Sequence, residues 1–447
     1  MARDTIVALS TPPGEGALGV IRCTGPDAVS ILKKLAHFDH EPADRTAYVR
    51  PLREGDDILD EAVVLVFYGP RSFTGEDTVE LSCHGGRITL QRVLDAILAA
   101  GARPAEAGEF SRRALENGRL DLVQVEAIAD IIHAESVEAQ KLAQSHLAGR
   151  LSKELEAIRD PLFEMVVLVE AAIDFALEEH VYTISPDEIA ARAVPIREGL
   201  EKLLATYDDG RLRHEGIKLA IVGPPNAGKS SLLNHLLNEE RAIVTDIEGT
   251  TRDYIEESCL IRGVHFRLVD TAGLRDTQDR VEAMGVEHAR RLAQSADVVL
   301  VVGDASKPEQ LDPILAELSN RTFGVLWNKS DLVSEQRSSH GVATRQLSLL
   351  TGTGVEQLEE LLLELASEAG YYRSKGSVLI TRARHKDTLE TALEYLDAAV
   401  EAAYAGLDHS FIALDLRASM DAVATMTGAI TSDDILNTIF AGFCVGK

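Results

Sequence analysis

The sequence predicts a multidomain chain of α+β and α/β class, in which a P-loop domain is inserted into a discontinuous helical bundle behind an N-terminal α+β domain. Three observations carry this. The apolar run Leu219-Ala220-Ile221-Val222 breaks into Gly223-Pro224-Pro225-Asn226-Ala227-Gly228-Lys229-Ser230 and resumes as the helical residues Leu232 to Leu237. Strand-like and helical stretches alternate across residues 216–376, the pattern of a mostly parallel sheet covered on both faces. Segments of long helical periodicity with few glycines lie on both sides; each buries little alone, so the two are expected to pack together.

At 447 residues the chain has room for two or three domains, and 45% hydrophobic with 26% charged residues is a globular composition. No apolar run reaches the roughly 18 residues of a membrane helix, and Met1-Ala2-Arg3-Asp4 opens no signal-peptide apolar region, so a cytoplasmic protein is expected. The scattered Cys23, Cys83, Cys259 and Cys444 fit a reducing compartment and form no zinc-ligand pair. With 45 Lys+Arg against 72 Asp+Glu the formal charge is -27, a field that repels phosphate backbones. Any nucleic-acid contact must then be local or supplied by a partner. The groups Arg112, Arg113, Arg119 and Arg373, Lys375, Arg382, Arg384, Lys386 are candidate basic patches, although a solvated face explains each as well.

Residues 1–118 mix strands with one or two helices. Leu18 to Cys23, Ala62 to Phe67 and Thr78 to Ser82 are strand-like, while Ile88 to Ala100 has helical apolar spacing and ends at Gly101. The first helical part, 119–215, carries the stripes Val123, Ala127, Ile131, Ile132 and Leu162, Met165, Val166, Val169, Ala172, with Pro161 expected to start or kink a helix. Strands are expected at Ile217 to Val222, Phe266 to Val269, Val298 to Val302 and Phe323 to Trp327 within 216–376. The second helical part, 377–447, has the stripe Leu389, Leu393, Leu396, Ala399, Val400.

The G-x-x-x-x-G-K-S spacing is a phosphate cradle. Its glycines let backbone N–H groups of Ala227, Gly228 and their neighbours wrap the phosphates, Lys229 reaches the β/γ oxygens, and Ser230, followed by Ser231, can hold Mg2+. Downstream residues choose the nucleotide. Asp270-Thr271-Ala272-Gly273 follows an expected strand, where its carboxylate would reach Mg2+ directly or through water. Asn328-Lys329-Ser330-Asp331 resembles the guanine-reading N-K-x-D of Ras-like GTPases, and Thr251, in Gly249-Thr250-Thr251, lies where a switch I Mg2+ ligand is expected. Together these motifs point to GTP. Ser348-Leu349-Leu350 stands where Ser-Ala-Lys or Ser-Ala-Leu usually supports the base.

Leu274 follows Asp-x-x-Gly where Ras-type enzymes place a water-orienting glutamine, and a leucine cannot do that. Glu282 is a carboxylate in the expected switch II segment; by spacing alone it competes with Asp276, Asp279 and Glu287. Asn226 resembles the P-loop asparagine of GTPases that use K+ as the positive charge beside the phosphates. The loop Thr245-Asp246-Ile247-Glu248-Gly249-Thr250 would complete the ion's shell, with Thr245, Ile247 and Thr250 as ligands.

The inserted Ras-like domain, Asp270-Thr271-Ala272-Gly273-Leu274-Arg275 followed by Val281-Glu282, and the terminal Phe443-Cys444-Val445-Gly446-Lys447 together resemble the MnmE/TrmE family of tRNA uridine-modification GTPases. Asp4-Thr5-Ile6-Val7-Ala8, Thr11-Pro12-Pro13-Gly14, Ser72-Phe73-Thr74-Gly75-Glu76-Asp77 and Gly108-Glu109-Phe110-Ser111 extend the resemblance over the whole chain. It implies a K+-stimulated GTPase activated by dimerisation of its G domains, with Glu282 orienting water and Asn226 binding K+. It also implies a homodimer whose N-terminal domain is tetrahydrofolate-binding-like. Arg22, Glu80, Arg119 and Lys447 would contact the folate, a 5-formyl or methylene form. A flavin-dependent partner of GidA/MnmG type would complete a heterotetramer, which adds an aminomethyl or carboxymethylaminomethyl group at C5 of the tRNA wobble uridine, U34. The tRNA would be held mainly through that partner. Cys444 is fourth from the end, but Gly446 and Lys447 fit prenylation poorly; a small buried cysteine and the family's modification residue remain the two readings. The competing functions are a ribosome-assembly switch GTPase of Era/Der kind, for which a basic RNA-binding domain is expected, and a folate-binding scaffold with a vestigial GTPase.

Overall fold

The computed structural model describes residues 4–174, 184–239, 257–269, 285–318, 321–334, 342–374, 376, 378–430, 433–444 and 446. The chain forms two compact units, one of Met1–Ala129, His146–Arg159 and Met420–Lys447, the other of Asp130–Ser145 and Asp160–Ser419.

The first unit is built on β1 (Ile6–Leu9), β2 (Leu18–Thr24), α1 (Ala28–Ala36), β3 (Tyr48–Glu54), β4 (Asp57–Phe67), β5 (Thr78–His84), α2 (Arg87–Ala99), β6 (Arg103–Pro104) and α3 (Glu109–Glu116). The strands lie in the order β3-β4-β5-β2-β1-β6, antiparallel except for the parallel β1–β6 pair. Period-two alternation divides the sheet's two faces. Ile21, Cys23, Val64, Val66, Val79 and Leu81 pack against Ile31, Leu32 and Leu35 of α1 and Val93 and Ile97 of α2. Ile6 and Ala8 instead join Phe73 and Phe110. Three helices form before residue 118, where the sequence suggested one or two; α1 has a buried face of Val29, Ile31, Leu32 and Leu35.

The helical elements that follow are α4 (Leu122–His133), α5 (Val137–Leu147), α6 (Arg150–Asp174), α7 (Pro186–Leu204) and α8 (Tyr207–Glu215). Val123 and Ala127 are buried as expected, but Ile132 is 40% exposed. It stands nine residues after Val123, about 180° around the helix, so the two cannot share a stripe. Leu162, Met165, Val166, Val169 and Ala172 are all buried. Pro161 sits inside α6 and does not start it. Ser185 caps α7, its hydroxyl accepting the Glu188 N–H at 3.2 Å, and Pro186 occupies the first helical position.

The nucleotide-type sheet contains β7 (Ile217–Val222), β8 (Glu257–Ile261), β9 (Val264–Leu268), β10 (Val298–Asp304), β11 (Phe323–Asn328) and β12 (Thr344–Gln346). Its order is β12-β11-β10-β7-β9-β8, parallel throughout except for the antiparallel edge strand β8. The helices α9 (Lys229–Glu239), α10 (Gly285–Ser295), α11 (Asp312–Glu317) and α12 (Val355–Glu368) belong to the same region. Leu219 and Ile221 enter a core with Leu232 of α9 and Leu361 of α12, whereas Ala220 and Val222 enter a second core with Leu292 of α10 and Ile314 of α11. Both faces are therefore apolar, which is why the strands read as continuous hydrophobic runs.

The remaining helices are α13 (Ala383–Tyr404), α14 (His409–Thr427) and α15 (Asp433–Ala441). Leu389, Leu396 and Ala399 of α13 are buried, and this helix packs against α7, with Arg197 paired to Asp397 across them. No helix among the described residues is long and apolar enough to cross a membrane.

Candidate nucleotide site

The parallel strands β7, β10 and β11 end together, and the predicted phosphate and base motifs follow from their C-terminal ends, the place where open α/β sheets bind ligands. After Val222 the chain must turn sharply. Gly223 has φ 154°, and a Cβ there would press on the carbonyl of Val302 in β10; Gly228 has φ 103°, and a Cβ there would collide with the amide of Asn328. Neither position admits another residue without rearrangement. Asn226 is exposed at φ 60°, a left-handed conformation that asparagine tolerates better than most residues. Helix α9 then starts at Lys229, so its first-turn N–H groups border the loop, with Ser230 half-buried and Ser231 exposed.

Lys229 crosses its own loop. Its Nζ donates to the carbonyls of Gly223 and Pro224, each at 2.9 Å, and burial pushes its pKa below the usual lysine range. Phosphate oxygens are stronger acceptors than these carbonyls, so an incoming phosphate can take over the ammonium.

Asn328 ties the phosphate loop to the base side. It is buried, its Nδ2 donates to the carbonyl of Ala227 at 2.9 Å, and its Oδ1 accepts the Leu349 N–H at 3.2 Å. Ser330 donates its N–H to the Leu347 carbonyl at 3.1 Å. Ser348 is buried, donates its own N–H to Thr353 at 2.9 Å and accepts the Thr351 N–H on Oγ at 3.3 Å. Asn328, Ser348 and Leu349 are thus brought together with Ala227. Asp331 is exposed in a short turn, Ser330–Leu332, and Leu350 is 88% exposed.

Sequence reasoning missed Asp304, the last residue of β10. Its Oδ2 accepts the Lys329 ammonium at 2.7 Å, and its Oδ1 accepts both the Ser306 N–H at 2.9 Å and the Ser306 hydroxyl at 2.6 Å. Burial raises its pKa, but those bonds outweigh burial and hold the carboxyl at about 2. A carboxylate closing an all-apolar strand was the available signal.

Thr245, Asp246, Ile247, Glu248, Gly249, Thr250, Thr251, Asp270, Thr271, Ala272, Gly273, Leu274 and Glu282 lie outside the described residues, as does Lys447. So do Asp276 and Asp279.

In the N-terminal unit, Arg22 and Glu80 are direct cross-strand partners of β2 and β5. Arg22 donates to Glu80 Oε1 from Nε at 2.9 Å and from Nη2 at 2.7 Å, and its guanidinium lies 5.3 Å from the Phe73 ring centre and 5.8 Å from that of Phe110. Arg119 donates to the Ser72 carbonyl at 3.1 Å. The C-terminal tail meets the same sheet: Ser10 donates to the Gly446 carbonyl at 3.3 Å, and a Cβ on Gly446 would press on the Leu9 carbonyl. Cys444 is exposed, which removes the reading of a small buried cysteine. Several members of the two basic groups are paired, and Lys375 lies outside the described residues. Arg113 is buried among Asp4, Glu76 and Glu109, Arg112 pairs with Glu116, Arg382 with Asp130, and Lys386 with Glu390.

A family model described as "GTP-binding protein TrmE N-terminus" matches residues 5–119, and one described as "MnmE helical domain" matches residues 122–444. Among curated proteins, the tRNA modification GTPase MnmE of Geobacter metallireducens is 43% identical, covering 99% of this chain and 99% of its own. The proteins of the same description from Moorella thermoacetica and Thermotoga petrophila are 41% and 40% identical, covering 100% and 99% of this chain and 100% of their own lengths. A solved G domain of the T. maritima FeoB iron transporter aligns with 34% of this chain and 98% of its own at 25% identity and a TM-score of 0.26, too low a score to bear on the fold. With two family models meeting end to end and relatives matched over their full lengths, the chain belongs to the MnmE/TrmE family of tRNA modification GTPases.

Proposed function

We propose that this chain is a GTP hydrolase that acts in tRNA modification. The observation that carries the reading is Asn328, which joins the phosphate loop at Ala227 to the base-side loop at Leu349 in one buried side chain. That coupling suits a ligand with a triphosphate at one end and a guanine at the other. Lys229 and the N–H groups of the first turn of α9 bind the phosphates, and Asp331 accepts from the guanine N1–H and exocyclic amine. Ser230 and Thr251 hold Mg2+, and Asn226, Thr245, Ile247 and Thr250 hold K+. Bound there, the two cations supply positive charge for the oxygens that gain charge in phosphoryl transfer. Glu282 orients the attacking water, the task Leu274 cannot perform.

The cycle is activated by dimerisation of the G domains within a homodimer. With an FAD-dependent partner of GidA/MnmG type, it drives addition of an aminomethyl or carboxymethylaminomethyl group at C5 of U34. In the N-terminal unit, Arg22, Glu80, Arg119 and Lys447 bind a tetrahydrofolate derivative that supplies one carbon. The support is chemical: the Arg22–Glu80 pair combines an anionic acceptor and a cation beside the rings of Phe73 and Phe110, a setting that suits a flat heterocycle with paired donors.

The test is nucleoside analysis of tRNA from cells lacking the chain, which should show U34 without its C5 substituent; normal U34 rules the reading out. GTP turnover in K+ and Na+ at equal ionic strength should differ, and Glu282→Ala should bind GTP yet lose most turnover. A folate scaffold with a vestigial GTPase, the reading Leu274 favours, would show negligible turnover in both salts.

A further inference from the structure

Lys329 holds a backbone conformation that a lysine does not choose for itself. It lies at φ 61°, ψ 35°, a left-handed region that is unfavourable for residues with a Cβ. Neighbouring groups hold it there: the Ser330 N–H donates to the Leu347 carbonyl at 3.1 Å, the Leu332 N–H to the Lys329 carbonyl at 3.0 Å, and the Lys329 side chain is held from the end of β10. Asp304 and Asn328 are paired in register, the Ala305 N–H donates to the Asn328 carbonyl at 2.9 Å, and the Asp304 carboxylate takes the Lys329 ammonium at 2.7 Å. The other carboxylate oxygen is fixed by the Ser306 N–H and hydroxyl, so the acceptor cannot swing away. Two residues further on, Asp331 leaves this bend in the turn Ser330–Leu332.

We propose that Asp304 is a positioning residue for base selection: by anchoring Lys329 in the left-handed bend, it sets where Asp331 stands and so how sharply guanine is preferred over hypoxanthine. The inference rests on the GTPase reading. Hypoxanthine retains the N1–H but lacks the exocyclic amine, so it reports the second of the two hydrogen bonds Asp331 would accept. A displacement of Asp331 that weakens that bond reduces the GDP-over-IDP preference. Asp304 stays ionised at every pH where the protein would be assayed, since its carboxyl is held at about 2.

The experiment measures GDP and IDP affinities of the full-length chain by titration. Wild type should bind GDP and prefer it over IDP; absence of GDP binding would overturn the GTPase reading and not this one alone. In Asp304→Asn, GDP affinity should fall roughly tenfold, the scale of one charge-assisted hydrogen bond, and the GDP-over-IDP preference should shrink. Equal weakening of both nucleotides, with the preference intact, would mean a merely structural role and overturn the proposal. Ser306→Ala, which removes the hydroxyl bond to Oδ1 and keeps the N–H bond and the ion pair, provides a second reading should the Asn variant not fold; it should lower the preference by a smaller factor, and an unaltered preference again counts against Asp304. In a Lys329→Met background, Asp304→Asn should add little further loss, because the carboxylate acts through Lys329. Fully additive losses would overturn it.

Discussion

Asp209 and Arg213, one turn apart on α8, meet through both carboxylate oxygens, with Nε to Oδ1 at 2.7 Å and Nη2 to Oδ2 at 2.8 Å. The same carboxylate accepts the N–H of Tyr372 at 3.0 Å and of Ser374 at 2.7 Å. Helix α8 leads into β7, and Tyr372 follows α12, so one buried side chain fastens the chain's entry to the nucleotide sheet to its exit. Thr206 repeats the arrangement, accepting the Ile380 N–H at 3.1 Å.

Asp209→Asn should therefore destabilise the chain by about 3 kcal/mol, because the amide cannot accept all four bonds and Arg213 loses its counter-charge. Urea unfolding monitored by circular dichroism measures this. A loss below roughly 0.5 kcal/mol, the level of an ordinary surface substitution, would mean that the clasp contributes nothing.

Gly228→Ala addresses the phosphate loop. At φ 103° the new Cβ is strained, and its collision partner is the Asn328 amide that bonds Ala227. Both halves of the nucleotide site are disturbed by one methyl group. Affinity for a fluorescent GDP analogue should fall by at least roughly 100-fold, the equivalent of ~3 kcal/mol. Retention within a few-fold would mean that the loop shifts at little cost.

Thiol chemistry separates the four cysteines. Burial pushes Cys23, Cys83 and Cys259 up to about 12, so at pH 8 only about one in 10,000 of each is thiolate. Cys444 is exposed. A colorimetric disulfide reagent should label one thiol rapidly in the native protein and four in denaturant. Rapid labelling of a second thiol under native conditions would contradict the buried placement of the other three.

Much of this was legible in the sequence because periodicity and loop chemistry are local. Ile217–Val222 was read to the residue, since both its faces are buried and a glycine ends it. What escaped was non-local. The strand β3, with Arg50, Pro51 and Arg53, has no apolar alternation of its own and exists through pairing with β4. The edge strand β8 likewise depends on β9. The left-handed Lys329 and its anchor Asp304 are 25 residues apart, and no sequence pattern links them. The basic group at Arg112, Arg113 and Arg119 looked like one patch, yet the fold distributes the three among different partners.

Arg113 supports a last prediction, concerning pH. Its guanidinium, 5% exposed, donates to the Asp4 carbonyl at 2.8 Å, Asp4 Oδ1 at 2.9 Å, Glu76 Oε2 at 3.0 Å and Glu109 Oε1 at 3.0 Å. The Arg103 hydrogen bond, aided by Arg113, holds Asp4 below the usual carboxylate range. Burial raises Glu109, but bonds from Arg103, the Glu106 N–H and Arg113 outweigh it and leave it lowered too. Carboxyls depressed on folding stabilise the native state above their unfolded values near 4, and that stabilisation is lost as pH falls through the lower folded values. Arg113→Met removes part of the depression and takes away the guanidinium that Glu76 and Glu109 share, while Arg103 still pairs with Asp4 and Glu109, so at pH 7 it should cost about 3 kcal/mol. As pH falls towards 3 the wild type loses a contribution that the variant has already lost in part. The gap in unfolding free energy between the two should accordingly narrow, and urea titrations between pH 7 and pH 3 measure it. A gap that stays constant or widens on acidification would show that Arg113 acts through packing and not through its charge.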